Sequence, residues 1–214
     1  MNMRMNGLSQ KSRGLYERLS NEEKGGRSRM PDENKARKKQ ADLILYQYGL
    51  WEEIKKYGVP HLIGSYRMDM MAWNDLDLDI ENDAMSLDKL YRLSEFILRH
   101  FHPTWYEAKE EVTSEGKKVW FHGFETLIEG ELWNIDLWFF DRETIQAAEK
   151  DCDRRLQQVN ARPGSREQIL CLKKDLIKRG LYSFGQYTSM DVYEAVLDRQ
   201  ITGIEEFLAS RKRG

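Results

Sequence analysis

Two cysteines and four prolines are few for 214 residues, and each scarcity excludes something. Cys152 and Cys171 stand in no metal-ligand spacing, so a reduced, cytoplasmic setting is expected. No apolar run approaches the roughly 20 residues of a spanning helix, so no membrane partner is expected. The opening "MNMRMNGLSQKSRG" lacks the apolar stretch of a signal peptide. Strong net charge is also missing: the total is −2. That near-balance is uneven, because residues 1–40 carry 11 Lys+Arg against 5 Asp+Glu and the remaining 174 carry 23 against 31. A body with a net −8 argues against a nucleic-acid partner, since phosphate backbones are bound by basic surfaces. The basic "KARKKQ" at 35–40 reads as the solvated first turns of a helix.

Charged residues make up 33% and aromatics 11%, with six tryptophans, and the length allows one domain with a substantial core or a core domain plus a small appendage, one composite domain being expected. Residues 1–30 are polar and read as an N-terminal extension with a short helix around "GLYERLS"; residues 31–145 form the core, and 146–214 a helical C-terminal part. From Asp32 to Tyr57 the apolar residues recur at helical spacing, until Gly58 and Pro60 end the helix. "HLIGSY" is a short strand entering a turn, "DLDLDI" a second strand, and Ser86–Phe101 an amphipathic helix stopped by Pro103. "TWYEAKEEV", "VWFHGFETLI" and "ELWNIDLWFF", separated by "TSEGKK" and "EG", read as an antiparallel meander. Three helices follow: one opened by a capping box at "SREQ" and running to Gly180, one over "TSMDVYEAVLDRQ", and one opened by a capping box at "TGIE". The fold class is α+β, a mixed sheet flanked by helices with a helical C-terminal part.

The stretch "WNDLDLDIE", 73–81, carries the chemistry. Side chains alternate along a strand, so Leu76, Leu78 and Ile80 line one face while Asp75, Asp77, Asp79 and Glu81 line the other. Aligned carboxylates repel, so the row is costly unless something cationic sits on that face. A calcium loop fails, because its sixth position would have to be Gly and is Ile80, and its twelfth is Ser86. Asp75 and Asp77 lie roughly 6.5–7 Å apart along the backbone, within reach of a pair of ions. Asp79 is either a supporting acid or solvent-facing.

Ile63-Gly64-Ser65 after a strand, then Asp75-Leu76-Asp77-Leu78, then a lone Asp136 in the apolar "LWNIDLWFF" together resemble the active-site pattern of the DNA polymerase beta superfamily of nucleotidyltransferases. The acid row also looks like that of the small lincosamide- and aminoglycoside-modifying members. The resemblance implies a nucleotidyltransferase core over 31–145 and a Mg²⁺-dependent transfer of a nucleoside monophosphate from a nucleoside triphosphate to a hydroxyl of a small molecule, possibly an antibiotic. It implies two Mg²⁺ ions held by Asp75, Asp77 and Asp136, with Asp136 also helping to deprotonate the acceptor. Gly64 and Ser65 would meet phosphate oxygens. Where many relatives carry a basic residue, this chain has Met68, leaving Arg67 as a candidate phosphate ligand.

Around the helix from Ile169, Lys173 falls near the middle of the apolar arc, at about 40°. It resembles the lysine with which relatives contact the triphosphate; Lys174 is the fallback, and an amine snorkelling past the leucines is the structural alternative. Asn134 and Trp138 share the face of Asp136 and are candidates to touch acceptor or base, although an indole in a strand is more often core. Trp133 and Trp138 are candidate flat walls for a ring-bearing acceptor. Two other functions compete: transfer of AMP to a protein side chain, and a catalytically silent nucleotide-binding module.

Overall fold

The computed structural model describes residues 30–183 and 185–211; the expected extension over 1–30, apart from Met30, lies outside them with its "GLYERLS" helix. In chain order the elements are α1 (Met30–Asp42), running into a π-helical turn (Leu43–Gln47), α2 (Leu50–Ile54), β1 (Val59–Leu62), α3 (Gly64–Arg67), β2 (Asp75–Glu81), α4 (Leu87–Phe101), β3 (Trp105–Val112), β4 (Lys118–Ile128) and β5 (Glu131–Phe140). Then come α5 (Arg142–Ala161), α6 (Ser165–Lys178), α7 (Ser189–Tyr193) with a π-helical continuation (Glu194–Asp198), and α8 (Ile204–Arg211). They form two compact units, Asn34–Arg154 and the residues on either side of it.

In the first unit the five strands are ordered β1-β2-β5-β4-β3. β2 and β5 are parallel and every other pair is antiparallel. The expected meander is β3-β4-β5, with "TSEGKK" and "EG" as its turns. Alternation decides the faces. Leu76, Leu78 and Ile80 of β2 and Ile135, Leu137 and Phe139 of β5 are at most 1% exposed, and they pack with Phe124 of β4, Leu93 and Ile97 of α4, and Ile44, Leu50 and Ile54 of the first helices. Each such side chain contributes about 1.5–3 kcal/mol by leaving water. On the opposite face Val119, Phe121, Trp138 and Phe140 pack with Ile145 of α5 in a smaller cluster, leaving the rest of that face to the carboxylates. In the second unit Ile169, Leu170, Leu172, Leu176 and Ile177 of α6 are buried, as are Val192, Tyr193 and Phe207.

Four local expectations are corrected. The helix expected over 32–57 breaks at Gly49, whose φ of 77° no continuing helix adopts, and restarts as α2. Among the described residues four helices, not three, follow the sheet. The additional one is α5, whose start is capped by Asp141 accepting from the Thr144 amide at 2.8 Å. The "SREQ" capping box does not form: Gly164 is the N-cap of α6, and the Ser165 hydroxyl donates instead to the Val159 and Arg162 carbonyls. At "TGIE" the Thr202 amide donates to Glu206 rather than Glu205. A capping box does occur at α7, where the Thr188 amide donates to Asp191.

Candidate active site

Parallel pairing of β2 with β5 sets Asp77 directly beside Asp136 and Asp75 beside Asn134. Neighbouring strands lie about 4.8 Å apart, so the two central carboxyl groups project side by side from one face. Asp136 is 6% exposed and Asp77 half-buried. Asp75 accepts a hydrogen bond from the Asn134 side-chain amide at 2.6 Å. The third residue of the row, Asp79, is 1% exposed, which rules out the solvent-facing alternative; its register neighbours are His61 and Trp138. Glu81, the last, lies 3.7 Å from His61 Nε2.

Two glycines make room for these carboxylates. Gly64 opens α3 with φ 62°, and a Cβ placed on it would lie 2.7 Å from Asp77 Oδ2, so only a bare backbone approaches this closely. Gly123 of β4 is the register partner of Asp136; a Cβ there would meet Asp136 Oδ1 at 3.1 Å and the Phe121 ring at 2.5 Å. Sequence reasoning did not single out Gly123, although a glycine inside an aromatic strand is a signal of close approach. Ser65 follows Gly64 in the same turn, half-buried, and its carbonyl accepts from the Met70 amide at 2.8 Å. Asn34 of α1 pins the loop leading into β2: its side chain donates to Asp69 Oδ1 at 2.9 Å and accepts from the Met71 amide at 2.8 Å.

Arg67 sits at the end of α3 and is held by α5. It donates to Asp153 Oδ1 at 2.9 and 3.1 Å and to Glu149 Oε1 at 3.0 Å. Burial works against its charge, and the two acids more than offset that, leaving its pKa raised. A phosphate would have to compete with both carboxylates, so the arginine reads first as the clamp that fixes the Gly64-Ser65 turn to α5. Met68 is 2% exposed and packed inward, so that position offers no cation.

Lys173 belongs to the second unit. It is 1% exposed and its amine donates to the Tyr193 hydroxyl at 2.7 Å, with the amine 4.5 Å from the centre of the Tyr193 ring. The snorkelling alternative is therefore excluded: the ammonium is inside. Lys174 pairs with Glu33. Trp138 is 4% exposed, 4.5 Å from Phe121 and stacked 5.5 Å from Phe140, which makes it core; Trp133 is fully buried on the opposite face of the sheet. Neither presents a wall to a ligand.

Among the described residues no three His, Cys, Asp or Glu converge into a ready-made metal cage. A hard ion such as Mg²⁺ needs none, because it is held by one or two carboxylates and completes its shell with phosphate oxygens and water. The in-register pair Asp77 and Asp136, with Asp75 beside them and the bare Gly64 backbone against the Asp77 carboxylate, fits that donor set.

No known protein-family pattern matches the sequence, and no curated protein does. Solved structures do match in shape. A Cid1 poly(U) polymerase bound to MgATP superposes with TM-score 0.55 at 16% identity, over 88% of this chain and 55% of that one. The MgGTP-bound form gives 0.52 at 16% identity, over the same shares, 88% and 55%. A cytoplasmic RNA terminal U-transferase matches at 0.45 and 16% identity, over 87% and 52%, too far to bear on the argument. The chain thus spans about half the length of these neighbours. The fold is the nucleotidyltransferase-like α+β fold that the sequence led us to expect.

Proposed function

We propose that the protein transfers a nucleoside monophosphate from a Mg²⁺-bound nucleoside triphosphate to a hydroxyl group. The observation that carries this is the parallel register that sets Asp77 beside Asp136, with Asp75 one step along and the Gly64-Ser65 turn against them. Bound Mg²⁺ would stabilise the attacking and leaving oxygens of an in-line displacement at phosphorus. Asp75 and Asp77 hold the ion, and Asp136, buried on the neighbouring strand, takes the proton of the acceptor hydroxyl. The Gly64 and Ser65 amides and the Ser65 hydroxyl orient phosphate oxygens. Lys173 is assigned to the triphosphate on its sequence position alone, and Arg67 to holding the turn.

The acceptor in this reading is a small, amine-bearing or polyhydroxylated molecule, an antibiotic among the candidates, because the acidic body and the acid row disfavour polyanions. A second reading, an RNA 3′ end, is favoured by the superposition on a poly(U) polymerase. The test is an acceptor screen with labelled ATP, GTP, CTP and UTP, offering aminoglycosides and lincosamides, RNA, and cell protein in parallel. Label on a small molecule, lost in Asp77→Ala, supports the first reading; label on RNA ends supports the second. Adducts on protein identify the protein-modifying alternative. Nucleotide binding without transfer to any acceptor makes the chain a silent module.

A further inference from the structure

Asn134, which the sequence offers as a candidate to touch acceptor or base, sits in an environment that points to another role. It is 5% exposed, lies in β5 as the register partner of Asp75, and gives its side-chain N–H to Asp75 Oδ1 at 2.6 Å. Its own carbonyl oxygen is buried and finds no hydrogen-bond partner among the described residues. Rotating the amide does not relieve this, because the oxygen would then face the Asp75 carboxylate, acceptor against acceptor. An unpaired buried carbonyl costs free energy, and a strand position that only needed filling would be served by an apolar side chain.

We propose that Asn134 is the positioning residue of the metal site. Its N–H fixes the Asp75 carboxylate in place to serve an ion, and its carbonyl would accept from a water of that ion's shell. The inference rests on the proposed metal-bound nucleotide site. Three carboxylates on adjacent strand positions repel one another, and a neutral donor orients Asp75 without bringing a positive charge to compete with the cation. A lysine or arginine at this position would form an ion pair with Asp75 and oppose ion binding; an aspartate would add a like charge 2.6 Å from the first. The amide alone supplies a donor to the ligand and an acceptor to the ligand's water, the usual task of a group one step out from a metal ligand.

The experiment reads Mn²⁺ binding by electron paramagnetic resonance, with a non-hydrolysable ATP analogue present, in wild type, Asn134→Leu and Asn134→Ser. Affinity for the same analogue is measured in EDTA as the control. Leu keeps the branching and removes both polar atoms; Ser is too short to bridge to Asp75 and serves should the leucine variant not fold. The expected result is a Mn²⁺ affinity about 10- to 100-fold lower in both variants, with the metal-free nucleotide affinity unchanged. Wild-type Mn²⁺ affinity in either folded variant overturns the inference and leaves the proposed function standing. An equal loss of nucleotide affinity in EDTA overturns it too, since the residue would then act on the nucleotide and not on the ion. No Mn²⁺ binding by the wild type overturns both.

Discussion

Replacing Gly64 by alanine puts a methyl group where Asp77 Oδ2 stands 2.7 Å away, at a backbone φ of 62°. Holding an L-residue in the left-handed region costs about 1–2 kcal/mol, and moving the Asp77 side chain off its rotamer to clear the methyl costs about 0.5–1.5 kcal/mol. Gly64→Ala should therefore lose about 2–3 kcal/mol, which for a chain of this size lowers the melting temperature by about 4–12 °C. Turnover should fall further than stability explains, by about 100-fold, because a ligand displaced by an ångström no longer meets its ion in line. Calorimetric unfolding and nucleotide transfer at saturating Mg²⁺ measure the two effects. The diagnostic is the double-mutant cycle with Asp77→Ala: with the carboxylate gone, Gly64→Ala should cost about 1 kcal/mol less, leaving only backbone strain. Equal costs in both backgrounds, with wild-type turnover in Gly64→Ala, would refute the idea that the turn presses on Asp77.

Three further outcomes are expected. Asp136→Asn keeps the shape but neither the charge nor the basicity, so kcat should drop by orders of magnitude while triphosphate affinity changes little; a loss of affinity alone would make Asp136 a nucleotide holder. Lys173→Met should raise KM for the triphosphate and leave thermal stability within about 1 kcal/mol, because the lost hydrogen bond to Tyr193 is balanced by removing a buried cation; normal kinetics with a weaker fold would make the lysine structural. His122 is fully buried, and desolvation pushes its pKa down from 6.5 to about 3. The unfolded chain therefore binds a proton below pH 6.5 that the folded one refuses, so stability falls with pH from there toward 3, by up to about 1.4 kcal/mol per unit. His122→Phe should flatten that slope in denaturant titrations between pH 6 and 4, and an unchanged slope would assign the acid sensitivity elsewhere.

Much of this arrangement was legible because strand alternation is a local signal. The run Asp75-Leu76-Asp77-Leu78 displays its two faces by itself, and the apolar strand around Asp136 marks that residue as out of place. The longest helix, α5, was missed for the opposite reason: Ile145, Cys152 and Val159 are spread thinly along it, and part of its attachment is polar, through Glu149 and Asp153 to Arg67. The pairing of Asn134 with Asp75 and the place of Gly123 beside Asp136 depend on strand register, which no short window of sequence contains. The misplaced caps at Ser165 and Thr202 are a milder case, since each residue found a competing partner one turn or one position away.

Parallel pairing of β2 with β5 has a kinetic consequence. No hairpin can join two parallel neighbours, and Asp75 meets Asn134 across 59 positions of chain that include α4, β3 and β4. The meander β3-β4-β5 closes through short turns and can form early, whereas β2 must find its place between β1 and β5 against the entropy of a long loop. The carboxylates are therefore brought together by the slowest pairing in the sheet. While the chain emerges from the ribosome, Asp77 has no Asp136 beside it until β5 has been made and docked, so a growing or half-folded chain holds no assembled carboxylate cluster.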